Sequence, residues 1–152
     1  MDFMQGKAKL FLYIFLIIII SAIGLRIVNF VTKRGEIEIK SKVFKIEILK
    51  NEWELAKGLS GRESLAENKG LLFVFPSSEK HGFWMRGMKF PIDIIWIDNG
   101  EVIDIKQNAP IPLTQNYETY SPSAPANYVL EINAGLSEKY GFKVGDKVKM
   151  KL

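Results

Sequence analysis

The sequence predicts a mainly β fold: a small single-domain β-barrel or sandwich with one or two short helices, preceded by one transmembrane helix. Several short runs within residues 36–152 alternate polar with β-branched residues, which is typical of strands with one buried face. Asn99-Gly100 separates two of these runs, and this dipeptide is the strongest short-range signal for a β-hairpin. Residues 10–31 form an almost unbroken apolar run, which predicts the transmembrane helix.

The chain divides into an N-terminal tail (1–9), the transmembrane helix (10–31), a juxtamembrane linker (32–35) and the β-rich domain (36–152). At about 1.5 Å per residue, the helix would reach about 33 Å, enough to cross a bilayer's hydrocarbon core. The alternative is a cleaved signal peptide, whose apolar region is usually only about 7–15 residues long. We therefore expect an uncleaved single-pass anchor, with membrane lipid as its partner.

The charged residues on the two sides of the apolar run favour opposite orientations of this anchor. Lys33 and Arg34 follow the apolar run, and a literal count of flanking charges would keep the domain in the cytoplasm. Long domains, however, cross the membrane largely regardless of charge, and Lys7 and Lys9 favour a cytoplasmic N-terminus. We expect an extracytoplasmic domain.

Charge and cysteine content exclude several function classes. Residues 36–152 carry sixteen basic and sixteen acidic side chains, whereas nucleic-acid-binding domains usually have a basic excess. Nucleic acid is therefore not an expected partner. The chain has no cysteine, which excludes disulfides, thiolate catalysis and thiolate metal sites.

The domain begins with strands and one short helix. Residues 36–50 alternate polar with β-branched positions, which predicts half-buried strands. Asn51 can cap a helix over 52–57, with Glu54 completing a capping-box-like arrangement. Gly58 then suits the helix C-terminus.

The central part of the domain predicts three further strands. Residues 70–75 are apolar on both faces, which indicates a fully buried strand, and Pro76 is expected to end it. Residues 82–85 form an aromatic strand, and residues 90–98 form the next one. Gly87 between them predicts a bend or bulge.

The hairpin at Asn99-Gly100 returns the chain along a strand over 101–106. Residues 108–127 contain four of the six prolines, which predicts an irregular loop. This loop is either a lid over a cavity or a strap across one end of the barrel. Residues 128–132 predict another strand, with Val129 and Glu131 on one face.

The C-terminal region completes the domain. Residues 136–140 predict one helical turn, which Gly141 ends. Residues 144–147 predict a tight turn, and 148–150 predict the closing strand.

From about residue 40 to 152, the order of several motifs resembles the family known as domain of unknown function 192. The motifs are Gly58-Leu59 with Arg62, Gly70 with Leu72-Phe73-Val74-Phe75, Phe83-Trp84-Met85-Arg86, Pro91-Ile92-Asp93-Ile94, Ile97-Asp98, Ser121-Pro122, Tyr128-Val129-Leu130-Glu131, Ala134-Gly135 and Gly145-Asp146. The resemblance implies a compact β-rich fold, commonly behind a signal peptide or anchor. It implies no activity, because the family is uncharacterised.

Two positions depart from the family's pattern. The family often has methionine where this chain has Ser60, and an Asn-Thr pair where this chain has Gly87-Met88. A ligand contact made by that amide or hydroxyl would be missing from this chain.

Five residues are candidates for ligand binding: His81, Trp84, Arg86, Asp93 and Glu131. Aromatic side chains with a few convergent polar groups are typical of small-molecule sites. A buried carboxylate needs a partner, so we expect Arg86 to pair with Asp93 or Glu131 through its planar guanidinium.

Enzymatic activity is not expected. The single histidine, His81, is not accompanied by a serine in a nucleophile-elbow context. One histidine without cysteine also argues against a zinc site. We therefore predict no catalytic residues, no metal and no cofactor. Asp98 and Asp146 are expected to bond nearby backbone N–H groups in turns, and Arg62 is either solvated or ties its loop to a carboxylate.

The leading interpretation is a membrane-anchored, non-catalytic binding module for a small molecule, a glycan or a protein. The first alternative is a structural or assembly partner of an envelope protein, docked through an exposed aromatic patch. A second alternative is a hydrolase that uses two carboxylates, such as Asp93 and Glu131.

Overall fold

The computed structural model describes residues 11–21, 34–114 and 117–152. The chain divides into two compact units, Met1–Lys33 and Arg34–Leu152. In the first unit, residues 11–21 are helical (α1). The second unit contains all the strands described below.

The prediction of a transmembrane helix over 10–31 is contradicted. Within the described residues, no helix is both long enough and apolar enough to cross a membrane. Residue 10 and residues 22–31 lie outside the described residues. The predicted single-pass anchor and the extracytoplasmic placement of the domain both depended on that helix. These two predictions are therefore contradicted as well.

A curved seven-stranded sheet, a half-barrel, forms the body of Arg34–Leu152. Its strands follow the order β6-β5-β8-β3-β2-β1-β9. A separate two-stranded sheet pairs β4 with β7. The strands are β1 (Arg34–Ile39), β2 (Lys42–Leu49), β3 (Lys69–Glu79), β4 (Phe83–Trp84), β5 (Ile92–Asp98), β6 (Glu101–Ala109), β7 (Thr119–Tyr120), β8 (Ala126–Asn133) and β9 (Val148–Lys151).

Two short helices accompany the sheet. α2 (Glu52–Lys57) begins as predicted, because the Asn51 side chain accepts a hydrogen bond from the Glu54 N–H. Gly58 ends it, and its N–H donates to the Glu54 carbonyl. This helix lies in the crossover between β2 and β3, which pair in parallel. α3 (Leu136–Lys139) follows β8.

Tight turns set the two hairpins. Asn99 and Gly100 both take positive φ, at 48° and 73°, and β5 and β6 pair across them. The predicted hairpin is therefore confirmed. Lys40 and Ser41 join β1 to β2 with φ of 47° and 66°, although neither residue is glycine.

The two outer strands approach each other at one corner. Glu101 forms an isolated antiparallel bridge with Lys147, and the Val148 N–H donates to the Gly100 carbonyl at 2.8 Å. These contacts pair some of the backbone N–H and C=O groups at the two edges of the sheet. Unpaired edge groups could otherwise bind a strand of another chain.

Alternating side chains build a separate apolar core on each face of the sheet. Ile95, Ile97 and Leu130 belong to the inner core, inside the curve of the sheet. The second core, on the outer face, includes Leu71, Phe73, Phe83, Met85, Met88, Ile92, Ile94, Trp96 and Val129. The outer core contains residues of the β4 segment as well as of the main sheet, and the candidate site lies in this layer.

Two loop predictions need correction. Pro76 does not end β3, which continues to Glu79 through a register shift between Val74 and Glu79. Proline is tolerated at such irregular positions. The loop predicted over 108–127 contains the short strand β7, and residues 115–116 lie outside the described residues.

Candidate functional site

A cavity of about 280 Å³ lies between α2, the β4 segment and the outer face of the main sheet. Its walls are mainly aromatic and aliphatic, with a few polar groups. The lining residues are Leu55, Ala56, Lys57, Gly58, Leu59, Ser60, Phe73, Phe75, His81, Gly82, Phe83, Trp84, Met88 and Glu131. Three of the five predicted site residues, His81, Trp84 and Glu131, are therefore brought together here.

Glu131 is the buried acidic group of this cavity. It lies in β8 between Leu71 of β3 and Ile94 of β5, so the sheet holds it from both sides. Its exposed fraction is 5%. Its Oε2 atom is buried and has no hydrogen-bond partner in the part of the chain that the structure describes, which is unusual because buried polar groups are normally paired.

This environment changes the protonation of Glu131. Burial raises the pKa of its carboxyl to about 8, because the charged form loses its hydration. The positive charge of Arg62 lowers the same pKa, but less than burial raises it. At neutral pH, Glu131 is therefore mostly a neutral carboxylic acid that can donate a hydrogen bond.

Arg62 does not neutralise Glu131 by direct contact. Its guanidinium binds Glu47 through two hydrogen bonds, of 2.8 and 2.7 Å. These contacts lower the pKa of Glu47, chiefly through the hydrogen bonds from Arg62. Of the two interpretations of Arg62, the structure supports the one in which it ties its loop to a carboxylate.

Gly58 lines this cavity, and at this position the backbone has no side chain to fill the space. Its φ of 48° and ψ of −131° are unfavourable for residues with a Cβ. A Cβ at this position would lie 3.1 Å from Cζ of Phe73 and 3.8 Å from Oε2 of Glu131. Glycine therefore keeps the space above the Glu131 carboxyl open.

His81 is fixed by three neighbours. Its ring stacks on Phe75, with 3.6 Å between centroids and 12° between planes. Its Nε2 lies 3.1 Å from the Ser77 carbonyl and donates a hydrogen bond to it. The buried indole of Trp96 donates to the His81 carbonyl at 3.0 Å.

Trp84 lies at the rim of the cavity. It ends the short strand β4, where it pairs with Thr119 of β7. Its side chain is 54% exposed, whereas the preceding Phe83 is only 8% exposed. This strand therefore directs one aromatic ring into the core and leaves a second ring accessible.

The predicted pairing of Arg86 is wrong. Within the described residues, Arg86 is exposed and makes no ion pair with Asp93 or Glu131. Asp93 is fully buried and accepts hydrogen bonds from the N–H groups of Asn108, Gly135 and Ser137, at 2.8, 3.1 and 2.8 Å. Three such donors stabilise a buried carboxylate without a cation. Asp93 therefore fixes loops, and neither it nor Arg86 lines the cavity.

The two carboxylates proposed for hydrolysis do not share a cleft. Asp93 is paired with Ile132, and Glu131 with Ile94, so the two acids project from opposite faces of the sheet. In the described part of the chain, no three potential ligand side chains converge to hold a metal ion.

The two turn aspartates behave differently. Asp146 accepts a hydrogen bond from the Lys143 N–H at 2.8 Å, as predicted. Asp98 instead accepts from the side chains of Ser78 and Asn99, so the predicted backbone contact is wrong for Asp98.

The family model for domain of unknown function 192, described as an uncharacterised ACR, matches residues 35–150. The chain belongs to this family. The match confirms the resemblance inferred from the motifs, and the β-rich fold agrees with it. No curated protein matches the sequence.

Two solved structures are similar to this member of the family. One is a protein of unknown function from Novosphingobium aromaticivorans, with 33% sequence identity and a TM-score of 0.66. The match covers 76% of this chain and 83% of the Novosphingobium chain. The other, from Sinorhizobium meliloti, is described as a candidate transcription regulator. It has 26% sequence identity and a TM-score of 0.67, and the match covers 77% of this chain and 92% of the Sinorhizobium chain.

Both departures from the family pattern lie at the cavity. Ser60 lines it and donates to the Arg86 carbonyl at 2.6 Å. Met88 lines it as a mostly buried side chain. Sequence reasoning did not identify Gly58 and Phe73 as site residues, because they were interpreted as a helix end and a core position. Their place in the motif series was the only signal available.

Proposed function

We propose that this chain is a non-catalytic ligand-binding module, and that the cavity at Glu131 is its binding site. The observation that carries the proposal is Glu131, which belongs to the cavity lining and whose buried Oε2 has no hydrogen-bond partner among the described residues. A group in this position costs free energy unless a ligand or water satisfies it. A ligand that provides the missing partner gains that free energy on binding.

The size and chemistry of the cavity favour a small, mostly apolar ligand. Small-molecule sites usually enclose about 300–1,000 Å³ and combine apolar walls with a few polar groups. A cavity of about 280 Å³ lies just below that range, which favours a small ligand. Phe73, Phe83 and Met88 provide apolar walls, and His81 with Glu131 provides the polar groups.

Nucleic acid is not part of this proposal. The description of the Sinorhizobium meliloti relative as a candidate transcription regulator suggests that partner. Residues 36–152 of this chain have equal numbers of basic and acidic side chains, whereas electrostatic attraction to phosphates needs a basic surface.

A fragment screen on the full-length chain tests the proposal. We expect small aromatic or aliphatic fragments to raise the melting temperature of the wild type, because they bind only the folded state. Gly58→Ala should abolish this effect by placing a methyl group between Phe73 and Glu131. Gly61→Ala is the matched control, since Gly61 also has positive φ but a Cβ there would have no atom within 4 Å.

A second variant covers the case in which Gly58→Ala is too unstable to assay. Trp84→Ala removes an exposed rim side chain and should weaken fragment binding without unfolding the chain. Fragment effects that are equal in the wild type and Trp84→Ala, or fragment contacts confined to other surfaces, would contradict the proposal.

A further inference from the structure

We propose that the cavity takes a compact organic cation, a methylated or alkylated ammonium group, which pairs with the carboxylate of Glu131. This inference rests on the proposed function and specifies its ligand class. It follows from three features of the described residues: an acid without a partner, neighbouring cations that are held elsewhere, and aromatic walls.

The first feature is the unpaired acid. Glu131 has a buried Oε2 with no hydrogen-bond partner, and the facing positions on β3 and β5 are the apolar Leu71 and Ile94. A buried carboxylate needs a positive partner or hydrogen-bond donors. The described protein provides neither by direct contact, so a ligand can.

The second feature is that the nearby cations are already engaged. Arg62, in the loop after α2, is bound through two hydrogen bonds to Glu47 of β2. Lys57, on α2, places its ammonium 4.9 Å from the centre of the Trp53 ring. His81, from the segment between β3 and β4, donates to the Ser77 carbonyl. The charges of Arg62 and Glu47 cancel each other, so Glu131 is left without a cation in direct contact.

The third feature is the aromatic wall. Phe73, Phe75, Phe83 and Trp84 all line the cavity. Aromatic rings attract ammonium groups through their negative faces, and this attraction grows when the cation is desolvated. Quaternary ammonium groups suit such walls because they cannot donate hydrogen bonds. Met88 adds a polarisable side chain to the same lining.

The pH dependence of binding distinguishes a cationic ligand from a neutral one. Because the pKa of Glu131 is about 8, cation binding at neutral pH releases one proton from its carboxyl to the buffer. The affinity for a permanent cation should rise about tenfold between pH 6 and 7 and only about twofold between pH 8 and 9. A neutral ligand lacks this dependence, because it does not require Glu131 to ionise.

The experiment compares choline with 3,3-dimethylbutan-1-ol, its neutral isostere with carbon in place of nitrogen. Both are titrated into the full-length chain at pH 6 to 9 by two-dimensional NMR. We expect choline to bind more tightly at pH 8, with the predicted pH dependence. Its largest shifts should fall on the backbone N–H groups of Gly58 and Gly82. Glu131→Gln should weaken choline at least tenfold at pH 8 and leave the alcohol unchanged, while Glu63→Gln, at an exposed side chain, should change neither.

The outcomes separate this inference from the proposed function. If the alcohol binds in the cavity as tightly as choline, or if choline affinity does not change with pH, the cation inference is overturned and ligand binding stands. If neither probe shifts the cavity signals at any pH, the cation inference fails, and the fragment screen decides the proposed function independently.

Discussion

Replacing Glu131 with glutamine should stabilise the folded chain, and the gain should grow with pH. Folding raises the pKa of Glu131 from 4.5 to about 8, so the folded state keeps a proton that the unfolded state loses. The stability associated with this proton is fully present below pH 4.5 and is lost as pH rises towards 8. Each pKa unit corresponds to about 1.4 kcal/mol, so the wild type should lose about 3 kcal/mol by pH 7 and about 5 kcal/mol above pH 8.

Urea denaturation measures this effect directly. Tryptophan fluorescence reports unfolding at each pH between 4.5 and 8.5, because Trp96 is 1% exposed in the folded chain and enters water on unfolding. Glu131→Gln keeps the size of the side chain and cannot ionise, so its stability advantage over the wild type should increase steadily across this range.

Glu63→Gln makes the same chemical change at a side chain that is 80% exposed, and its effect on stability should stay small and nearly constant with pH. If the difference between the wild type and Glu131→Gln were equally flat, Glu131 would be ionised in the folded chain. The description of the cavity as a site with a neutral acid would then be wrong.

Three further predictions concern the supporting residues. Arg62→Gln should cost about 1 kcal/mol, as expected for a partly exposed bidentate pair. It should also raise the pKa of Glu131 further, measured by carbon-13 NMR of its carboxyl, because Arg62 lowers that pKa; an unchanged titration midpoint would refute the coupling. Asp93→Asn should cost about 2–4 kcal/mol in urea denaturation, since an amide oxygen cannot serve all three backbone donors, and a cost under about 0.5 kcal/mol would contradict that role. Gly58→Ala should destabilise more than Gly61→Ala, because both have positive φ but only Gly58 has neighbours within 4 Å of a Cβ; equal melting temperatures would remove the steric argument.

Local chemistry made parts of the fold predictable. The Asn51 cap of α2 and the Asn99-Gly100 hairpin follow from side-chain geometry and φ preferences within a few residues, and both are present. The turn at Lys40 and Ser41 was missed, because two non-glycine residues with positive φ carry no clear signal.

The partners of buried charges were not predictable, because they depend on topology. An ion pair of Arg86 with Asp93 or Glu131 was expected because a buried carboxylate needs a partner and guanidinium binds carboxylate well. The strand order instead places Asp93 beside the loops around Asn108 and Gly135. The isolation of Glu131 follows from the insertion of β8 between β3 and β5, which no local pattern reveals.

The transmembrane prediction depended on the apolar composition of residues 10–31. A membrane span has to be a helix that is both long enough and apolar enough. No helix in the described ranges 11–21, 34–114 and 117–152 meets both conditions.

The most direct test of the central claim is a crystal structure of the chain soaked with the best-binding fragment from the screen. We expect density for the fragment inside the cavity, within hydrogen-bonding or ion-pair distance of Glu131 Oε2 and against Phe73 and Phe83. A structure in which another protein group fills the cavity and satisfies the Glu131 carboxyl, with the fragment bound elsewhere, would contradict the account.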